Sequence, residues 1–132
     1  MDWKKFDKEI RSLAGRIDWK PDAVIGIVRG GVIPAMVLAN SLKVKKFYII
    51  KVRHVGEGRK VKGDFAPGVA GMKILLVEDM LETGKSLAAA KKYLEERGAE
   101  VKTACLYTMP RSEIRPDFSL KEVTNVVPFP WE

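Results

Sequence analysis

Three observations predict an α/β fold with a single parallel sheet flanked by helices. First, "AVIGIV" (Ala23 to Val28), "KILLV" (Lys73 to Val77) and "VKTACLY" (Val101 to Tyr107) are mostly apolar runs, as expected of strands covered on both faces. Second, stretches of helical period separate them, the pattern of a sheet with crossover helices. Third, 132 residues with 46% hydrophobic and 31% charged side chains suit one soluble domain with one core.

The elements follow in order. Trp3, Phe6, Ile10, Leu13 and Ile17 recur at three- and four-residue steps, which predicts an amphipathic first helix. Ala23 to Val28 follows a Pro-Asp pair as a buried strand. "VIPAMVLANSL" (Val32 to Leu42) reads as a helix that accepts Pro34 in its first turn. "KFYIIKV" (Lys46 to Val52), aromatic and β-branched, is the next strand. His54 to Gly71 is polar, dotted with glycine and long for a connection, a length typical of functional loops. After the strand Lys73 to Val77, a helix from Ser86 to Arg97 closes at Gly98, and Val101 to Tyr107 is a further strand. The tail from Met109 to Glu132 is Pro-rich and irregular, with "TNVV" (Thr124 to Val127) as the candidate for a short last strand.

Composition narrows the function. No apolar run approaches the ~20 residues of a membrane span, and "MDWKKFDKEI" has no signal-peptide apolar core. A cytoplasmic protein without a membrane partner is expected. Cys105 is the single cysteine, which fits a reducing compartment and a small core side chain. The net charge of +7 favours anionic partners, but much of it lies among glutamates on helix-like stretches, and no aromatic-and-basic stripe marks a nucleic-acid surface.

In parallel sheets, ligands bind beyond the C-terminal strand ends. That rule selects Arg29-Gly30-Gly31 and the segment from Glu78 to Ser86. In "ILLVEDMLETGKSL" (Ile74 to Leu87), a hydrophobic run meets two adjacent acids and then a Thr-Gly-Lys-Ser turn. A nucleoside-triphosphate P-loop is excluded, because the glycine it needs five residues before the Gly-Lys pair is Asp79. The backbone N–H groups from Thr83 to Leu87 open a helix and suit one phosphate, and Thr83 and Ser86 add hydroxyls. Glu78 and Asp79 suit vicinal hydroxyls or a bound magnesium ion. A 5-phosphoribosyl group carries both kinds of partner.

The same stretch resembles the phosphoribosyl pyrophosphate signature of the type I phosphoribosyltransferases. "GIVRGGVIPA" is similar to the pyrophosphate loop of that family's purine branch, the xanthine-guanine and hypoxanthine enzymes, and "VVPFPWE" to its C-terminal base-binding hood. The resemblance implies that Glu78 and Asp79 hold the ribose hydroxyls and magnesium, and that Thr83, Gly84, Lys85, Ser86 and Leu87 wrap the 5-phosphate. Val28 and Arg29 would face pyrophosphate across a turn where the family often has a cis peptide bond, with Gly30 and Gly31 permitting close backbone approach. Residues 54–71 would be a mobile flap, with Lys51 and Arg53 at its base reaching pyrophosphate. Residues 109–132 would form the hood region, Val126 and Val127 would line the base pocket, and Glu132 would be a metal-side acid. Glu82 stands where the family usually has Asp beside the attacking purine nitrogen, and with Arg29 it forms the expected catalytic pair. His54 is expected to face solvent.

The implied activity is transfer of the phosphoribosyl group to a purine base, a 6-oxopurine foremost, with Mg²⁺ as cofactor and a homodimer or higher homo-oligomer as the assembly. The family's base-reading Lys is matched by Met109, whose thioether cannot donate to a carbonyl, and its stacking aromatic by Val126. Arg111 is the neighbour placed to substitute for the lysine. Those departures keep a second class in view, a non-catalytic sensor of phosphoribosyl pyrophosphate or a nucleotide on the same fold.

Overall fold

The computed structural model describes residues 1–62, 65 and 67–132. Three helices and six strands alternate as α1 (Trp3–Arg16), β1 (Ala23–Val28), α2 (Val32–Ser41), β2 (Lys46–Val55), β3 (Gly58–Val61), β4 (Lys73–Leu81), α3 (Lys85–Glu96), β5 (Glu100–Thr108) and β6 (Phe118–Glu122). The six strands form one sheet in the order β3-β2-β1-β4-β5-β6. Every pairing is parallel except that of β3, which returns antiparallel along β2 from Val55↔Gly58 to Val52↔Val61.

Strand alternation divides the core. Val24 of β1, Leu75 and Val77 of β4, and Ala104 and Leu106 of β5 point to one face, where Phe6, Ile10 and Leu13 of α1 and Ala35 and Leu38 of α2 cover them. Ile25, Ile27, Ile74, Leu76 and Cys105 point to the other, covered by Leu87, Ala90 and Leu94 of α3. Burial on both faces explains why these strands read as continuous apolar runs. The side chain of Asp2 caps α1 by accepting from the Lys5 amide at 2.8 Å.

Two expectations are corrected. The segment from His54 to Gly71 is not one open connection: β2 continues to Val55 and β3 completes a hairpin. Residues 63, 64 and 66 of the expected flap lie outside the described residues. The last strand is β6 at Phe118–Glu122, not Thr124 to Val127. Its register against β5 is fixed at one end by Asp117, whose carboxylate accepts from the Thr103 amide at 2.8 Å while its own amide donates to the Thr103 hydroxyl at 3.1 Å. Among the described residues, no helix is long and apolar enough to cross a membrane.

Candidate active site

The C-terminal ends of β1 and β4 meet beneath two cavities. One, a cleft of about 950 Å³, is lined by Val28, Arg29, Gly30, Lys51, Glu78, Asp79, Trp131 and Glu132, among others. The second, about 250 Å³, is bounded by residues 81–87 together with His54, Arg59, Glu78 and Met80. Glu78 and Met80 line both, so the acidic stretch forms the wall between them.

The first cleft depends on tight backbone contact between β1 and β4. The Val28-Arg29 peptide is cis, and Gly30 and Gly31 follow it. A Cβ at Gly30 would sit 2.3 Å from Asp79 Oδ2, and one at Gly31 would sit 2.2 Å from the Val77 carbonyl oxygen. No other residue lets this turn lie against the acids. Arg29 is exposed at the cleft edge.

Asp79 is fixed by accepting from the Met80 amide at 2.6 Å, and Glu78 accepts from the Asp79 amide at 3.2 Å. Burial raises the pKa of Glu78 well above the ordinary carboxylate value, and the neighbouring Asp79 charge adds to the rise. Burial also raises Asp79. The Met80 amide and the Trp131 side chain offset part of that, and the charge of Glu132 works with burial. The buried indole Nε1 of Trp131 is directed at Asp79 and lowers its pKa, but the two do not meet in full hydrogen-bond geometry.

Among the described residues, neither acid forms an ion pair with a cation. Two adjacent, partly dehydrated carboxyls without a counter-charge are the oxygen donors that a hard divalent cation takes. Glu132 lines the same cleft, but no group of three or more His, Cys, Asp or Glu side chains is arranged to hold a metal ion among the described residues. The expected set of Glu78, Asp79 and Glu132 is therefore not a closed coordination shell. Magnesium ordinarily uses one or two carboxylates, keeps several waters and completes its shell with substrate phosphates, and the two acids fit that pattern.

The second cavity has the make-up of an anion cradle. Gly84 precedes α3 at φ +78°, and a Cβ there would meet Ile114 Cγ2 at 2.5 Å. Glycine alone takes this left-handed turn without strain, and Lys85, Ser86 and Leu87 of the first turn of α3 line the cavity, a helix N-terminus being suited to an anion. Lys85 Nζ donates to the Glu57 carbonyl at 3.0 Å, tying the cradle to the tip of the β2–β3 hairpin. Glu82 accepts from the Arg111 guanidinium in an exposed ion pair.

Several expected residues lie elsewhere. Val126 is 59% exposed, Val127 packs against the α1 side of the core, and neither lines the cleft, where Trp131 stands instead. Arg53 lines a separate cavity beside α3 and not the Arg29 cleft. His54 is exposed, as expected, and also lines the second cavity. Arg59 of β3, which carried no sequence signal, lines that cradle too. The Cys105 thiol is fully buried, and burial pushes its pKa upward, which fits a core side chain.

Comparison with known proteins agrees with this geometry. The family model described as "Phosphoribosyl transferase domain" matches residues 2–132. A xanthine-guanine phosphoribosyltransferase of Cereibacter sphaeroides is 28% identical over 98% of this chain and 84% of its own. The crystal structure of a purine phosphoribosyltransferase from Pyrococcus horikoshii Ot3 superposes with a TM-score of 0.91 at 31% identity, covering 100% of this chain and 91% of that one. A xanthine-guanine-hypoxanthine phosphoribosyltransferase of Helicobacter pylori shares the fold with a TM-score of 0.85 at 23% identity, over 99% of this chain and 90% of that one.

Proposed function

The chain belongs to the phosphoribosyl transferase domain family, and on that premise we propose that it transfers the 5-phosphoribosyl group of phosphoribosyl pyrophosphate to a 6-oxopurine. It is an enzyme of the purine branch of the type I phosphoribosyltransferases. One observation carries the substrate reading. Glu78 and Asp79 stand between an anion cradle and a cleft bearing Arg29 and Lys51, in the order of phosphate, ribose and pyrophosphate along one molecule.

In this reading the amides from Thr83 to Leu87, the Thr83 and Ser86 hydroxyls and Lys85 hold the 5-phosphate. Glu78 and Asp79 accept hydrogen bonds from the two ribose hydroxyls. Magnesium bound beside those acids would neutralise part of the pyrophosphate charge. Cleavage of the C1–O bond leaves its electron pair on pyrophosphate, and Arg29 and Lys51 stabilise that departing anion. The purine nitrogen forms the new bond to C1, and Glu82 takes the proton this nitrogen loses. In this reading Arg111, paired with Glu82, supplies the donor to the 6-oxo group that the Met109 thioether cannot.

The test is pyrophosphate release from phosphoribosyl pyrophosphate and magnesium, run in parallel with guanine, hypoxanthine, xanthine, adenine, orotate and uracil. Release with a 6-oxopurine and none with adenine, orotate or uracil is expected. Turnover of adenine alone would refute the assignment of the base. Silence with all six bases from protein that binds phosphoribosyl pyrophosphate would refute turnover itself.

A further inference from the structure

On the α3 side of the β2–β3 hairpin lies a third cavity, of about 650 Å³, within the ~300–1,000 Å³ of small-molecule sites. Arg53, Arg59 and Lys60 from the hairpin and Lys92 and Arg97 from the α3 side line it, against one carboxylate among the described residues, Glu96. None of these five cations forms an ion pair among the described residues. Arg97 lies over the Tyr93 ring at 3.4 Å and donates to the Tyr93 carbonyl at 3.1 Å, so one wall is held in place. The α3 residues recur at Ala89, Lys92, Tyr93 and Glu96, the spacing of a single helix face. Charges of one sign gathered in a concavity focus potential on an anion.

We propose that this cavity is a second anion site, distinct from the catalytic cleft, that takes a small oligophosphate. The cavity is an open concavity, and the five cations along its lining suit a chain of two or three phosphates, each able to accept from more than one donor. An extended nucleic acid fits less well, because among the described residues Tyr93 is the single aromatic lining the cavity and its ring is covered by Arg97.

The site has a route to the catalytic centre. Arg59 lines both this cavity and the anion cradle, and its guanidinium donates to the Glu57 and Gly58 carbonyls at 3.3 and 3.0 Å. Glu57 is also the residue that Lys85 of the cradle grips. One guanidinium serves one anion at a time, so an oligophosphate here draws Arg59 from the cradle and weakens substrate binding. This coupling, unlike the binding itself, rests on the phosphoribosyl reading of the cradle.

Inorganic triphosphate is the probe. It is titrated calorimetrically into wild-type protein and into Lys60→Ala/Lys92→Ala, which removes two exposed cations outside the catalytic machinery. Turnover is then measured with and without triphosphate, with magnesium in excess of all phosphate. The double variant is expected to lose about tenfold or more in triphosphate affinity while keeping the wild-type kcat and KM. Triphosphate is expected to raise the wild-type KM for phosphoribosyl pyrophosphate about fivefold and to leave that of the variant nearly unchanged. Equal calorimetric affinity in the two proteins overturns the site, since triphosphate is then held by the catalytic cleft. Lost affinity with an undiminished rise in KM overturns the Arg59 link. An RNA oligomer bound by wild type alone, with triphosphate bound by neither protein, also overturns the proposal. Calorimetry decides the site even if no base is turned over.

Discussion

At the scale of single residues, the acidic pair sets stability against function. Glu78 and Asp79 keep their protons to higher pH in the fold than in the unfolded chain, because burial disfavours their charged forms. The folded state then binds more protons, and ligand-free stability falls as pH rises above the ordinary carboxylate range. Glu78→Gln removes one of these costs. In metal-free buffer it is expected to melt above wild type at neutral pH, with the gap closing as pH falls toward the ordinary carboxylate range. A gap independent of pH would exclude titration as its source. Asp79→Asn is expected to lower kcat/KM by about 10²–10³-fold without loss of fold. Gly30→Ala places a methyl where the Asp79 carboxylate lies, and an activity loss of similar size is expected together with a stability loss of about 1–3 kcal/mol. The acids and the Thr-Gly-Lys-Ser turn were legible in sequence because they share one short stretch, and the glycines because they end an apolar strand, where ligands of a parallel sheet bind. Trp131 and Arg59 were not, because their places depend on which distant segments return to the cleft and the cradle.

At the scale of elements, legibility followed burial. The central strands β1, β4 and β5 declared themselves through apolar runs that two helical layers require. β3 has one buried residue of four, Val61, and is held by backbone pairing with β2 rather than by a hydrophobic pattern. β6 has no fully buried residue, and the prolines around it drew the expected strand toward the two valines at 126 and 127. The β2–β3 hairpin matters because its tip is bound to the cradle through Lys85 and Glu57. Lys85→Met deletes that hydrogen bond and a phosphate donor together. It is expected to raise the KM for phosphoribosyl pyrophosphate about tenfold and to speed amide exchange across Val55 to Val61 in the ligand-free protein. Faster exchange without a change in KM would confine Lys85 to a structural role.

At the scale of the whole molecule, the two chain ends close over the helix α1 side of the sheet. The Met1 ammonium donates to the Pro128 carbonyl at 3.0 Å, and Phe6 meets Trp131 edge-to-face with centroids 4.9 Å apart. Phe129, 4% exposed, stacks on Tyr107 at 5.8 Å and on Trp131 at 5.0 Å. Phe129 does not line the cleft, whereas Trp131 and Glu132 do. Packing of the C-terminal segment on α1 therefore sets where the cleft's outer wall stands. Phe129→Ala is expected to cost about 3–5 kcal/mol of stability through the cavity it leaves. It is also expected to raise the KM for the base at temperatures where the variant remains folded, because Trp131 loses the ring that fixes its plane. The two effects separate in one comparison. Phe6→Leu disturbs the same cluster from the far end of the chain but leaves the Phe129–Trp131 stack intact, so it should lower the melting temperature with little change in KM. Equal effects on KM from both variants would mean that the aromatic cluster supports the cleft only by stabilising the fold.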